Sequence, residues 1–94
     1  MSESLAQILY ANAIKLLDSE RRSARRIDQA YRILARRNVN AGLEDWLYNP
    51  FVKTALTILQ KFSSNYKIRE ALKLLQAAGE EAEKAKKPGR DWTR

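Results

Sequence analysis

Residues 19–37 read SERRSARRIDQAYRILARR. They hold seven arginines (Arg21, Arg22, Arg25, Arg26, Arg32, Arg36 and Arg37), no lysine, and only Glu20 and Asp28 in opposition. A guanidinium presents a planar fork of donors that grips phosphate or carboxylate bidentately, and it is less tightly hydrated than an ammonium. A merely solvated face mixes Lys, Glu and Gln, as residues 66–87 do. The arginine concentration therefore points to an anionic partner: nucleic acid first, an acidic protein surface second, anionic lipid third. The arginine side carries no Leu or aromatic side chains to insert into a bilayer, so membrane binding is the weakest of the three. If four or five of these arginines met phosphates, log affinity would fall against log salt with a slope of about −4, which suits weak, sequence-tolerant binding. No short glycine turn joins two helices with Asn, Gln and Ser at base-reading positions, so helix-turn-helix readout is not indicated.

Other chemistries find little in the residue inventory. The 94 residues include no histidine and no cysteine, which removes imidazole ligands, thiolate ligands, disulfides and the commonest general base. Ser23, Ser63 and Ser64 have no imidazole to activate them, and Asp28, Glu44 and Asp45 show no spacing of a carboxylate pair. The expectation is a non-enzymatic chain with no cofactor, no metal and no small-molecule substrate. Its net charge of +7 agrees with an acidic partner.

Three further features could hold a partner. Trp46, Tyr48 and Phe51 flank Pro50; rings near basic residues can stack on bases, but beside a helix start they are expected to close over the core. Trp92 lies in a basic, proline-led tail, where it either anchors a partner or packs back onto its own domain. Ile33 and Leu74 fall off the main apolar stripes beside basic residues, and form either a surface patch for a partner or an internal face between hairpins.

The elements that must position these residues are helical. Ala and Leu dominate the apolar share, with three Gly and two Pro in the chain. At about 100° per residue, Ala24, Ile27, Ala30, Tyr31 and Leu34 share one side of a helix over 19–37. Arg21, Arg22, Arg25, Arg32 and Arg36 share the other, with Arg26 and Arg37 on a flank. An earlier helix over about 4–17 carries Leu5, Ile8, Leu9, Ala13, Leu16 and Leu17, widened by Tyr10 and Ile14. Ser4 and Gln7 have capping-box spacing at its start. A face that wide implies two neighbours.

Asp18 or Ser19 is the expected cap of the second helix; one long bent helix over 5–37 is the alternative, since no Gly or Pro intervenes. Residues 38–42 end it, and 43–48 form a short helical turn. Asn49-Pro50 then starts a third helix over about 50–62, with Asn as cap and Pro at the first helical position. A fourth, over about 66–87, carries Ile68, Ala71, Leu72, Leu75, Ala78 and Ala82. Its end, with Glu80–Lys84 and Glu83–Lys87 in the favourable i,i+4 order, reads as a solvated extension.

Residues 26–34 align without a gap on 67–75: basic, Ile, Ala, large apolar, basic and an apolar pair all recur. The first and third helices match one residue out of step. The fold class is therefore all-α, a four-helix domain of two related α-hairpins over residues 1–87, followed by a basic tail over 88–94. A domain this small should be stable by on the order of 5–9 kcal/mol. No apolar run reaches the roughly 20 residues of a membrane span. The acidic opening MSESLAQ is unlike a secretory leader, so a cytoplasmic protein is expected.

The hairpin of residues 9–37, with Ala11, Ala13, Ala30 and Tyr31, loosely resembles tetratricopeptide and microtubule-interacting-and-trafficking hairpins. The repeat's glycine and tyrosine signature is missing, and its peptide groove is not carried over. Residues 24–37, from Ala24-Arg25-Arg26 to Ala35-Arg36-Arg37, resemble the paired N-terminal helices of the archaeal ribonuclease P zinc-ribbon subunit, whose four-cysteine ribbon this chain lacks. In size, basicity and all-helical layout the chain is similar to the small accessory subunit of the crenarchaeal family-B DNA polymerase holoenzyme, without a diagnostic motif. That resemblance implies a non-catalytic subunit docked on a larger replicative polymerase, with the basic face near DNA. The expected function is accordingly a basic accessory subunit of a nucleic-acid-processing complex. The alternative is a protein–protein adaptor that docks an acidic partner without touching nucleic acid.

Overall fold

The four apolar stripes become four helices. A computed structural model describes residues 5–36 and 49–86, with side chains through Ala82. Its elements are α1 (Leu5–Glu20), α2 (Arg25–Ala35), α3 (Pro50–Gln60) and α4 (Tyr66–Lys86). The core is a single cluster: Ala6, Tyr10, Ala13 and Leu17 from α1 meet Ile27, Ala30 and Leu34 from α2. Val52, Ala55, Ile58 and Leu59 from α3 join Ile68, Ala71, Leu75, Ala78 and Ala82 from α4. Among the described residues no charged side chain is buried, so no ion pair has to be desolvated inside.

The helices form a ring in which α1 touches α2, α2 touches α3, α3 touches α4 and α4 returns to α1, with no close backbone approach along either diagonal. The contacts between the hairpins, α1 with α4 and α2 with α3, are more extensive than those within them. The wide face of α1 is thus shared between two neighbours, as its sequence requires. The internal repeat is also matched in the packing. Ile27, Ala30 and Leu34 correspond to Ile68, Ala71 and Leu75, and Tyr10, Ala13 and Leu17 correspond to Val52, Ala55 and Leu59. All twelve are buried.

The local chemistry at the helix starts explains two boundaries. Asn49 caps α3 through Oδ1, which accepts from the Phe51 N–H at 2.8 Å and the Val52 N–H at 3.3 Å, with Pro50 following it. Asn65 does the same for α4, accepting from Lys67 N–H at 2.9 Å and Ile68 N–H at 3.4 Å. Its Nδ2 also donates to the Glu20 carboxylate at 2.7 Å, and Lys67 Nζ lies 3.7 Å from the same group. The end of α1 is therefore fastened to the start of α4.

That fastening accounts for a correction. The first two helices are separate, but α1 does not stop near Asp18; it runs on to Glu20, where tertiary partners hold its last turn. Neither Asp18 nor Ser19 caps α2. Ser19 Oγ donates back to the Leu16 carbonyl at 2.7 Å, the local alternative open to a serine inside a helix. Ala24 occupies the cap position of α2, with no side-chain hydrogen bond. The second helix begins at Arg25 rather than residue 19, and Arg21 and Arg22 lie in the turn before it.

Three smaller differences follow from packing. Leu5 and Ile8 are exposed, while Ala6 and Tyr10 are buried, because the seam of α1 runs through its small residues toward α4. Ala82 is fully buried, so α4 is still docked one turn beyond the point where its stripe thins to alanine. Phe51 does not close over the core but stands 59% exposed in the first turn of α3. The Ser4 cap, Arg37, the helical turn over 43–48 with Trp46, the ring of Tyr48, the pairs reaching Lys84 and Lys87, and the tail with Trp92 lie outside the described residues.

Candidate nucleic-acid interface

The outer side of α2 is set by its own periodicity. With Ile27, Ala30 and Leu34 turned inward, Arg25, Gln29, Arg32 and Arg36 line the opposite side, a stripe about 16 Å long at 1.5 Å per residue. All four are exposed. Arg22 in the preceding turn and Arg26 on the flank are exposed as well.

The arginines divide by what they touch. Arg21 Nε donates to Asp28 Oδ1 at 2.7 Å, Arg21 Nη1 lies 3.5 Å from Asp18 Oδ1, and its guanidinium carbon sits 4.4 Å from the centre of the Tyr31 ring. The hydrogen bond to Asp28 raises its pKa above the usual arginine value against an opposing effect of partial desolvation, so the group keeps its proton at every working pH. Arg21 is thus a structural clamp across the α1–α2 turn, its guanidinium already engaged within the chain. Arg32 shares Asp28, with Nε 3.0 Å from Oδ2, yet its side chain remains 63% exposed. Arg22, Arg25, Arg26 and Arg36 have no ion pair among the described residues.

Two concavities flank the stripe and meet at Arg32. One lies at the α1–α2 turn, lined by Asp18, Ser19, Arg21, Arg22, Ala24, Arg25, Asp28 and Arg32. The other runs between α2 and α3 and brings Ile33 beside Phe51. Ile33 is half-buried and packs against the core, as does Leu74 on α4. The two belong to helices whose backbones do not closely approach each other.

The second hairpin supplies an internal control for the arginines. Residue for residue, the positions of Arg22, Arg25, Gln29, Arg32 and Arg36 are filled there by Ser63, Tyr66, Glu70, Lys73 and Ala77. The same frame is therefore built without them. Even the tie across the turn is solved differently: in place of the Arg21–Asp28 pair, Arg69 Nη1 donates to the Ser63 carbonyl at 2.8 Å.

Among the described residues no group of three or more acidic side chains is placed to hold a metal ion, and no helix is long and apolar enough to cross a membrane. Sequence reasoning also misplaced Phe51, which is exposed. Its angular position next to Ile58 on the helix points inward, and periodicity carries no information on how far a neighbouring helix covers it. No family model matches the chain, and no curated protein or solved structure is significantly similar to it.

Proposed function

We propose that this chain is a non-catalytic basic accessory subunit of a nucleic-acid-processing complex. It would contact phosphates through Arg22, Arg25, Arg26 and Arg36 while a larger protein subunit holds it in place. A replicative DNA polymerase is the complex that its size, charge and helical layout suggest. The observation that carries the reading is the set of exposed guanidiniums without acidic partners among the described residues; at three of the four positions the second hairpin has an uncharged residue, Ser63, Tyr66 or Ala77, and at the fourth the Lys67 that pairs with Glu20. A group the fold does not require and does not neutralise is available to an outside anion.

The test is binding to labelled DNA and RNA over a range of salt concentrations. Four phosphate contacts give a slope of log affinity against log salt of about −3.5 for duplex DNA. Replacing Arg22 and Arg25 by alanine should bring the slope nearer zero by about 2 and weaken binding evenly across sequences. Failure to bind any nucleic acid at low salt, with retained binding to an acidic protein, would instead make the chain an adaptor.

A further inference from the structure

Leu5 and Ile8, in the first two turns of α1, are 52% and 42% exposed. Leu9 and Leu16 on the same edge are only partly buried. The contacts of α1 show which way this edge faces. Glu20 meets α4 through Asn65 and Lys67, whereas Tyr10 reaches across to Leu34 of α2. At about 100° per residue, Leu5, Leu9 and Leu16 fall within about 60° of Glu20, on the side of the buried stripe away from Tyr10. The leucine edge therefore flanks α4.

The end of α4 delivers the chain to the same place. Its start is tied to the end of α1, and the two helices share the most extensive backbone approach in the molecule, so they run antiparallel. The far end of their seam is narrow, with Ala6, Ala78, Gly79 and Ala82 all buried. Counting about 1.5 Å per residue from the Glu20–Asn65 contact, Lys86 lies about 9 Å beyond the level of Leu5. Directly after it, Lys87-Pro88-Gly89-Arg90 has proline and glycine at the second and third places of a type II turn, the pattern that reverses a chain. Past such a turn, Asp91 and Trp92 run back about 7 Å along α1. The indole itself covers the remaining few ångströms to Leu5, and to the Ile8 side chain, which tilts toward the helix start.

We propose that residues 87–94 fold back against α1, with the Trp92 indole packed on Leu5 and Ile8. The inference is independent of the phosphate-binding reading above. The connection over 37–48 also carries large apolar side chains, Trp46 and Leu47. It leaves α2 and enters α3, however, and α2 lies on the Tyr10 side of α1, away from the leucine edge. A second copy of the chain is disfavoured by the size of the patch. Asn12 and Lys15, both exposed, bound it one to two turns on, which leaves room for a single ring rather than another helix. Docked in this way, Trp92 is not an anchor for a larger subunit.

The experiment uses the full chain, in which Trp46→Phe leaves Trp92 as the one remaining tryptophan. Its fluorescence should be shifted to the blue of a free peptide of residues 86–94, and acrylamide should quench it less. Leu5→Ser together with Ile8→Ser should return both readings to those of the peptide. If Trp46→Phe does not fold, the wild-type spectrum minus that of Trp92→Phe gives the same emission. Thermal unfolding supplies a second readout. Trp92→Ala and Ile8→Ser should each lower Tm by about 4–8 °C, and the double variant should fall no further than either, because both remove one contact. Peptide-like emission in the folded chain would overturn the proposal. Blue-shifted emission that ignores the Leu5 and Ile8 substitutions, or Tm losses that add, would place Trp92 elsewhere and overturn it as well. Emission that moves to the peptide value on dilution would give the edge to the tail of a second copy instead.

Discussion

Tyr10 shows how much one side chain does in a small domain. Its ring lies in the core and its hydroxyl donates to the Leu34 carbonyl in the last turn of α2, which also accepts from the Arg36 N–H. The residue therefore both packs α1 and finishes α2. Tyr10→Phe keeps the packing and removes the hydrogen bond, and should cost about 1 kcal/mol. Thermal unfolding should register this as a fall of about 4–8 °C in Tm, with nucleic-acid affinity unchanged. The sequence marks Tyr10 as apolar periodicity and nothing more, since its acceptor is 24 residues away. Arg21 was unreadable for a related reason. Its charge suggests a binding role, but its pairing with Asp28 depends on the chain reversing at 21–23, and no Gly or Pro marks that turn. Arg22, Arg25, Arg26 and Arg36 were legible as exposed cations because helical periodicity alone sets their side.

At the scale of the elements, apolar periodicity located all four helices, and the Asn49-Pro50 signal placed the start of α3 where it falls. The missed boundary is the start of α2, where the cap position holds Ala24 and no residue type announces it. In the second hairpin the matching position holds Asn65, which caps α4 and also reaches Glu20. Ala24 already has the extended backbone of a cap, at φ −157° and ψ 142°. A hydroxyl there could accept from the first free N–H groups of α2 without moving the chain. Ala24→Ser should therefore stabilise the protein by about 1 kcal/mol, read as a higher denaturation midpoint in urea with an unchanged slope. A loss of stability would mean that the half-buried methyl group contributes more than the missing cap.

For the whole molecule, the arrangement that matters is the exchange of partners between hairpins. Sequence self-similarity revealed two related halves but could not reveal that each helix finds its larger interface in the other half, because pairing preferences among alanine-rich stripes are not written in their spacing. Ala13, Ala30, Ala55, Ala71, Ala78 and Ala82 are all fully buried, so the helices meet through small side chains, and much of the specificity lies in how closely the backbones approach. Neither half should then be stable by itself. A peptide of residues 1–48 should show little helical circular dichroism at neutral pH, because α1 loses α4 and α2 loses α3 at once. Substantial helicity in that fragment would show that the hairpin, rather than the ring, is the folding unit.

The latch from Glu20 to Asn65 has a consequence for the way this protein is made. A ribosome delivers α1 first, but the helix that covers most of it is the last of the four to follow, and the carboxylate at its end waits 45 residues for its amide. Until synthesis passes α4, the nascent chain carries an uncovered alanine and leucine seam beside a cluster of arginines. Folding of this domain is thus completed only once α4 has been made and can close the circle.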